Sequence, residues 1–302
     1  MKRLLGAILS AALLTSPIPA KENNSQVNIK QKEETAKSLI QSSGKRTTQK
    51  VKEQEIQKII KEAAQIYAEG NRILFLLTHN KIDEAKKSLK SLKERIARLE
   101  KQYRGKIENL PIDVAVNEVV GITDLKQAEK LAQQVKEAVK NNDFVTARIL
   151  LEALRNEIII ETVYLPIKLY KQAVDLAYEF LENGKIKNAI SQLEIAVNTV
   201  EIGTTIIPEP IAVASLLVED ASKHFKDKPQ QALKLLDEAK RQIKLAKILG
   251  YIRNDKDIEP LIQQIEKLEK AVREKTGTKE KFKSLFENIE KFKESSTQTN
   301  TK

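Results

Sequence analysis

Two histidines, His79 and His224, and a scatter of carboxylates are where chemistry could start in this chain of 302 residues. Each histidine stands at the end of a helical pattern among polar neighbours, with no second His or Cys at ligand spacing. A metal site needs three or four converging ligands, so solvated turn or cap roles are expected for both. No Ser or Cys partner is placed for triad chemistry. Glu157 and Glu161 lie about one helical turn apart. With 42 acidic residues such pairs arise throughout, and surface ion pairing is their ordinary use. Gly44-Lys45 looks like the end of a phosphate loop, but the earlier glycine is missing, Arg46 stands where Ser or Thr belongs, and no strand precedes it. Tyr164, Tyr170 and Tyr178 are spaced for helix packing. The reading is therefore a non-enzymatic protein with no catalytic, cofactor-binding or metal-ligating residue assigned and no cofactor required.

Composition narrows the elements that could position any site. The chain is 41% hydrophobic and 31% charged with only 4% aromatic, and its nine Gly and eight Pro are too few for a turn-rich all-β fold. Absence of Cys removes disulfides and thiolate metal sites. Abundant Lys, Glu and Ile with a single Met suits a heat-adapted protein, a thermophile by usage. The net charge of +11 sits mostly in the flanks: residues 51–275 carry only +3. Within that span Lys alternates with Glu along helices instead of gathering on one face with aromatics. That excludes nucleic acid as the expected partner.

The first twenty residues read as a secretory signal peptide (1–20): basic Lys2-Arg3, the apolar run Leu4–Leu14, then Thr15-Ser16-Pro17-Ile18-Pro19-Ala20 ending on a small residue. The apolar run is about half the roughly 20 residues a bilayer span needs, and no later stretch approaches it. The expectation is an exported protein, periplasmic in a cell with two membranes, with no stable membrane insertion after cleavage. Residues 21–50 are polar and read as a flexible spacer, with room for a short helix near Glu33 to Gln41.

From residue 51 the pattern is mainly α, a repeat-like bundle of stacked antiparallel helical hairpins spanning 51–252. The central stretch, Leu165 to Val200, places Leu169, Ala173, Leu176, Ala177 and Phe180 on one stripe and Ala189, Leu193 and Ala196 on the next, joined at Glu182-Asn183-Gly184-Lys185. Each return helix starts with a polar turn, then an Ala and a Leu four residues on: Ala85/Leu89, Ala147/Leu151, Ala189/Leu193 and Ala232/Leu236. A small residue lets paired helices approach, and the Leu fills the groove one turn later. Three connectors, 110–116, 158–164 and 199–207, are β-branched and nearly free of Lys and Arg. They could gather as a small β element or lie as loop on the bundle. Residues 253–293 form a C-terminal helical extension whose Phe282, Leu285, Phe286, Ile289 and Phe292 are expected to pack on the bundle, the alternative being an amphipathic handle for a partner or a membrane surface. Residues 294–302 are expected to be a disordered tail.

In this order, Leu110-Pro111-Ile112-Asp113, Ala147 to Leu151, Ile158 to Tyr164, Leu165-Pro166-Ile167 and Asn183-Gly184-Lys185 with Ala189 and Leu193 resemble the YfdX family of exported bacterial proteins, from about Lys52 to Ile252. The chain departs from the family in residues 21–50 and in the helices after Ile252. The resemblance implies a largely helical periplasmic protein linked to stress tolerance, with ATP-independent chaperone-like behaviour and no catalytic residues to carry over. The leading expectation is a protein that binds other polypeptides as a stress-response holdase, using apolar surface on the connector side or between hairpins. The alternative is a scaffold of the cell envelope with fixed partners. A homo-oligomer is left open.

Overall fold

The polar turns between helices are the residues that shape the fold. Asn80, Asn142 and Gly184 all take positive φ, at 59°, 58° and 72°. In each turn the following N–H returns to a carbonyl five residues back: Lys81 to Leu76, Asp143 to Ala138, Lys185 to Phe180. This is one helix-ending device, and it recurs at Gly250 (Tyr251 N–H to Ala246) and at Lys275 (Thr276 N–H to Ala271); Asn, Asp or Gly adopts that backbone most cheaply. It makes three antiparallel pairs: α2 (Lys61–Thr78) with α3 (Ile82–Tyr103), α4 (Leu125–Lys140) with α5 (Phe144–Ala153), and α6 (Ile167–Glu182) with α7 (Ile186–Asn198). The fourth pair, α8 (Glu209–His224) with α9 (Pro229–Ile248), uses Pro229 in the first turn, where its missing N–H leaves no bond unmade. The chain ends with α10 (Asp255–Arg273) and α11 (Lys279–Ser296).

The computed structural model describes residues 24–252 and 254–301. The stretch 1–20 read as a signal peptide lies outside them. The chain divides into two units, residues 1–39 and residues 40–302. No helix among the described residues is long and apolar enough to cross a membrane.

All three connectors are strands: β1 (Asn109–Val119), β2 (Glu157–Pro166) and β3 (Glu201–Pro208), antiparallel in the order β1-β2-β3. Pro111, which cannot donate to a ladder, sits on the edge strand β1 beside a bulge at Pro111/Asp113. On one face Ile158 and Ile160 meet Val51, Ile207 and Ala212, with Val114 and Val116 beside them. On the other, Leu110, Ile112 and Leu165 join the core of α2, α3, α6 and α7. Hairpin α2–α3 stacks on α6–α7 and not on its sequence neighbour α4–α5, which leans on α9 through Ala128, Leu154 and Leu245. The sheet reorders the pairs because β1 and β2, the strands flanking α4–α5, pair with each other and carry that hairpin outward.

The four return-helix alanines are all buried, as expected, and so are Leu89, Leu193 and Leu236. Leu151 is not. It is 49% exposed because no neighbouring element among the described residues covers the outer side of α5. The α6 stripe is also rotated from the expected one. Tyr170, Val174 and Leu181 face the core with Ala173 and Ala177, while Leu169 and Leu176 are largely exposed. The driver is Tyr170, fully buried with its hydroxyl donating to the Ile66 carbonyl at 3.2 Å, an anchor a count of aliphatic residues passes over.

Two segments depart from the expected disorder. Residues 24–50, placed in a flexible spacer, belong to a helix, α1 (Asn24–Lys58). Its part from residue 40 buries Ile40, Ser43, Thr47 and Val51 at helical spacing. Half of that stripe is hydroxyl side chains, so hydrophobic periodicity could not reveal it. Thr47 satisfies its hydroxyl on the Ser43 carbonyl at 2.8 Å. The tail expected over 294–302 continues α11 to Ser296 and then forms a fourth strand, β4 (Gln298–Thr301), antiparallel on β3. An open strand edge, not side-chain burial, orders it. The Phe stripe packs inward as expected: Phe282, Leu285 and Ile289 are buried, with the Phe282 ring centred 4.9 Å from that of Phe225.

Candidate functional site

The residues first considered for chemistry do not converge. His79 caps α2, with Nδ1 2.9 Å from the Phe75 carbonyl and its ring on Phe75. His224 ends α8. Glu157 is buried and Glu161 exposed, so the two share no site. Gly44 and Lys45 lie inside α1. Among the described residues no cluster of three or more His, Asp or Glu side chains could hold a metal ion.

The unusual chemistry lies at one end of the sheet, where β1 finishes, β2 begins and β3 enters α8. Asn156, with no exposed surface, is the hub. Its carbonyl accepts from the Glu209 N–H at 3.0 Å and its Nδ2 donates to the Ile122 carbonyl at 2.9 Å. Its Oδ1 accepts from the Gly121 N–H, and its own N–H donates to the Tyr251 hydroxyl at 2.9 Å. Tyr251 in turn donates to Glu157 at 3.2 Å, and Arg155 clamps the other Glu157 oxygen through Nε and Nη2 at 3.0 and 2.8 Å. Burial pushes the Tyr251 hydroxyl up, so it keeps its proton and serves as a donor. This paired polar network fixes the strand ends and holds α8 in register.

Beside it, Glu209 opens α8 only 6% exposed. Burial first, then the neighbouring Glu118 carboxylate at the end of β1, raise its pKa to about 7. Hydrogen bonding between the two carboxyls favours the protonated form of Glu209. Gly44 of α1 closes over them. A methyl group there would lie 2.5 Å from Glu209 Oε1 and 3.3 Å from Glu118 Oε1, so only glycine lets the helix come this near. Farther along α1, Arg46 meets Asp220 at 2.7 Å and Lys50 meets Glu219 at 2.5 Å on α8. Nothing in the local sequence marks Glu118 or Glu209 as partners, 91 residues apart by their numbers. The one available signal was a carboxylate between Pro208 and Pro210 ahead of the run Ile211–Val218, apolar but for Ser215. Two acids sharing a proton could serve as an acid–base pair, but both lie under α1, and neither lines any of four surface cavities of about 470–540 Å³ among the described residues.

What the fold leaves accessible is apolar surface. Phe144, Val145 and Ile149 of α5 are 63%, 74% and 66% exposed, and Val139 and Leu151 of the same hairpin are about half exposed. A groove of about 470 Å³ runs between the sheet, α1 and α11, with Ile160, Tyr164 and Thr205 on its floor and Lys58 and Lys293 on its walls.

A mainly helical body of antiparallel pairs around a small antiparallel sheet, without a converging reactive centre among the described residues, is the class these features define. The family model described as "YfdX protein" matches residues 24–205, and the chain belongs to this family. The match corrects the expected limits: it takes in residues 24–50 and stops within β3, so α8 to α11 and β4 lie beyond it. A solved structure of Salmonella Typhi YfdX is similar at 13% identity, covering 48% of this chain and 90% of that one with a TM-score of 0.34. No curated protein matches the sequence.

Proposed function

We propose that this is a non-enzymatic, exported protein that binds other polypeptides, acting as an ATP-independent holdase under stress. The observation that carries the reading is the cluster of large apolar side chains on α4–α5. This hairpin packs on α9 through Ala128 and Leu154, with Leu125, Leu131, Ala132 and Val135 only partly buried beside them, and keeps Phe144, Val145, Ile149 and Leu151 in water. Leaving such side chains unburied forfeits about 1.5–3 kcal/mol each relative to full burial, which disfavours the arrangement unless something else covers them. Unfolded chains expose apolar segments that can do so. The basic N-terminus and apolar run of residues 1–20 support export to an extracytoplasmic compartment, where nucleotide is scarce and binding without it is required.

The test is suppression of heat aggregation of an unrelated protein at a stoichiometric ratio, without nucleotide. Protection is expected, and the variant Phe144→Ser/Val145→Ser/Ile149→Ser, with its melting temperature unchanged, is expected to lose most of it. No protection at any temperature would remove the holdase reading. Recovery of one stoichiometric partner from an envelope extract, in place of many, would assign the same surface to a scaffold.

A further inference from the structure

The fourth strand is an odd structural element. Gln298, Thr299 and Asn300 are all exposed, so β4 adds no apolar burial and is held by its ladder with Gly203–Ile206. A ladder hydrogen bond is only a modest net gain in water, where solvent competes for both partners. The edge it covers is better suited to other residues. On the sheet face away from α1, β3 presents Ile202, Thr204 and Ile206 beside Val163, Glu161 and Ile159 of β2. Ile202 is 52% exposed and lies past the β4 pairing, and Ile206 is paired with the polar Gln298. Cross-strand partners on one face are the unit of sheet stabilisation, and β-branched pairs there gain over mismatched ones. Gln298 and Asn300 forgo that gain at both positions opposite Ile206 and Thr204.

We propose that the β3 edge is a strand-addition site for an extended segment of another polypeptide, with β-branched side chains at alternate positions, and that Gln298–Thr301 is its displaceable occupant. The inference rests on the polypeptide-binding reading and gives it a place and a sequence preference. Backbone pairing supplies affinity for any extended chain, and the Ile202/Ile206 face selects β-branched residues. The tail is tethered directly to α11 through Thr297, whose hydroxyl donates to the Lys293 carbonyl at 2.8 Å. Its effective concentration at the edge is therefore on the order of millimolar, enough to hold off weak strands while yielding to good ones.

The probe is a fluorescein-labelled peptide, acetyl-Lys-Thr-Val-Thr-Val-Thr-Val-Lys-amide, titrated by fluorescence anisotropy. A control peptide carries proline at the two central positions. The proteins are the full mature chain, a chain ending at Thr297, and Thr205→Cys/Thr299→Cys, whose positions pair directly in a chain otherwise free of cysteine. The shortened chain is expected to bind the peptide at least tenfold tighter than the full chain. The oxidised double variant is expected not to bind, reduction is expected to restore binding, and the proline peptide should bind none of them. Equal binding by oxidised and reduced forms overturns the proposal, and does so even if the shortened chain proves unstable. A concentration-dependent dimer that disappears on removing residues 298–302 also overturns it, giving the edge to a second copy. Aggregation protection left intact while the tail changes nothing sinks this inference alone. Lost protection with tail-dependent peptide binding sinks the holdase reading and leaves the edge site standing.

Discussion

Replacing Glu209 with glutamine should change the pH dependence of folding by a calculable amount. In the folded protein its pKa is about 7 against an ordinary value of 4.5. Below pH 4.5 both the folded and unfolded chains hold the proton. As pH rises toward 7 the unfolded chain releases it while the folded one keeps it, so unfolding becomes progressively favoured; above 7 both have released it and the loss is complete. A displacement of two to three pH units at 1.36 kcal/mol per unit is about 3 kcal/mol, present at pH 4.5 and gone by pH 8. Glutamine keeps the shape and can donate its Nε2 hydrogen to Glu118, but has nothing to titrate. Urea unfolding followed by circular dichroism from pH 4.5 to 8.5 measures the effect. Glu209→Gln is expected to gain on the wild type by about 3 kcal/mol across that window. Other shifted groups, among them Asp220 and Glu219 held low by Arg46 and Lys50, contribute alike to both proteins and cancel in the difference. Parallel pH profiles for the two proteins would refute the shared-proton account of this corner.

Gly44→Ala should destabilise the protein by about 1–3 kcal/mol, the usual range for overpacking, because the added methyl meets the enclosed Glu209 carboxylate; chemical denaturation checks this. Combining it with Glu209→Ala should recover much of that loss. Asn156→Ala should cost about 1–3 kcal/mol, since it removes a fully buried side chain and leaves the part-buried Gly121 N–H and Ile122 carbonyl without their partner; the melting temperature reads it. Tyr170→Phe loses one hydrogen bond while keeping the ring, so a loss near 1 kcal/mol is expected by the same measurement. On the proposed export, mass spectrometry of the protein from its host cell is expected to find a mature chain beginning at Lys21, following the small residue Ala20.

Much of the fold could be read in the chain because its rules are local. Helix pairs follow from apolar spacing and from Asn80, Asn142 and Gly184, and the strand character of the connectors follows from β-branched runs without lysine. Burial of the four small contacts at Ala85, Ala147, Ala189 and Ala232 came from the repeat alone. The errors share a cause as well. Ser43 and Thr47 are polar by type yet buried, Leu151 and Leu169 are apolar yet exposed, and Gln298–Thr301 is ordered by a backbone edge that its side chains do not announce.

The candidate site was less legible than the fold. Glu118 and Glu209 are ordinary acids in the sequence, two among 42, and acquire a shared proton only when β1 and α8 are brought together beneath Gly44. The linear chain determined that helices would form, where they would turn, and that the connectors were suited to strands, because those outcomes depend on side chains a few residues apart. Only the tertiary structure decided which pairs stack, which acid loses its water, and which strand is left with a replaceable neighbour. Those outcomes depend on burial and pairing between residues far apart in the chain, where local propensity carries no information.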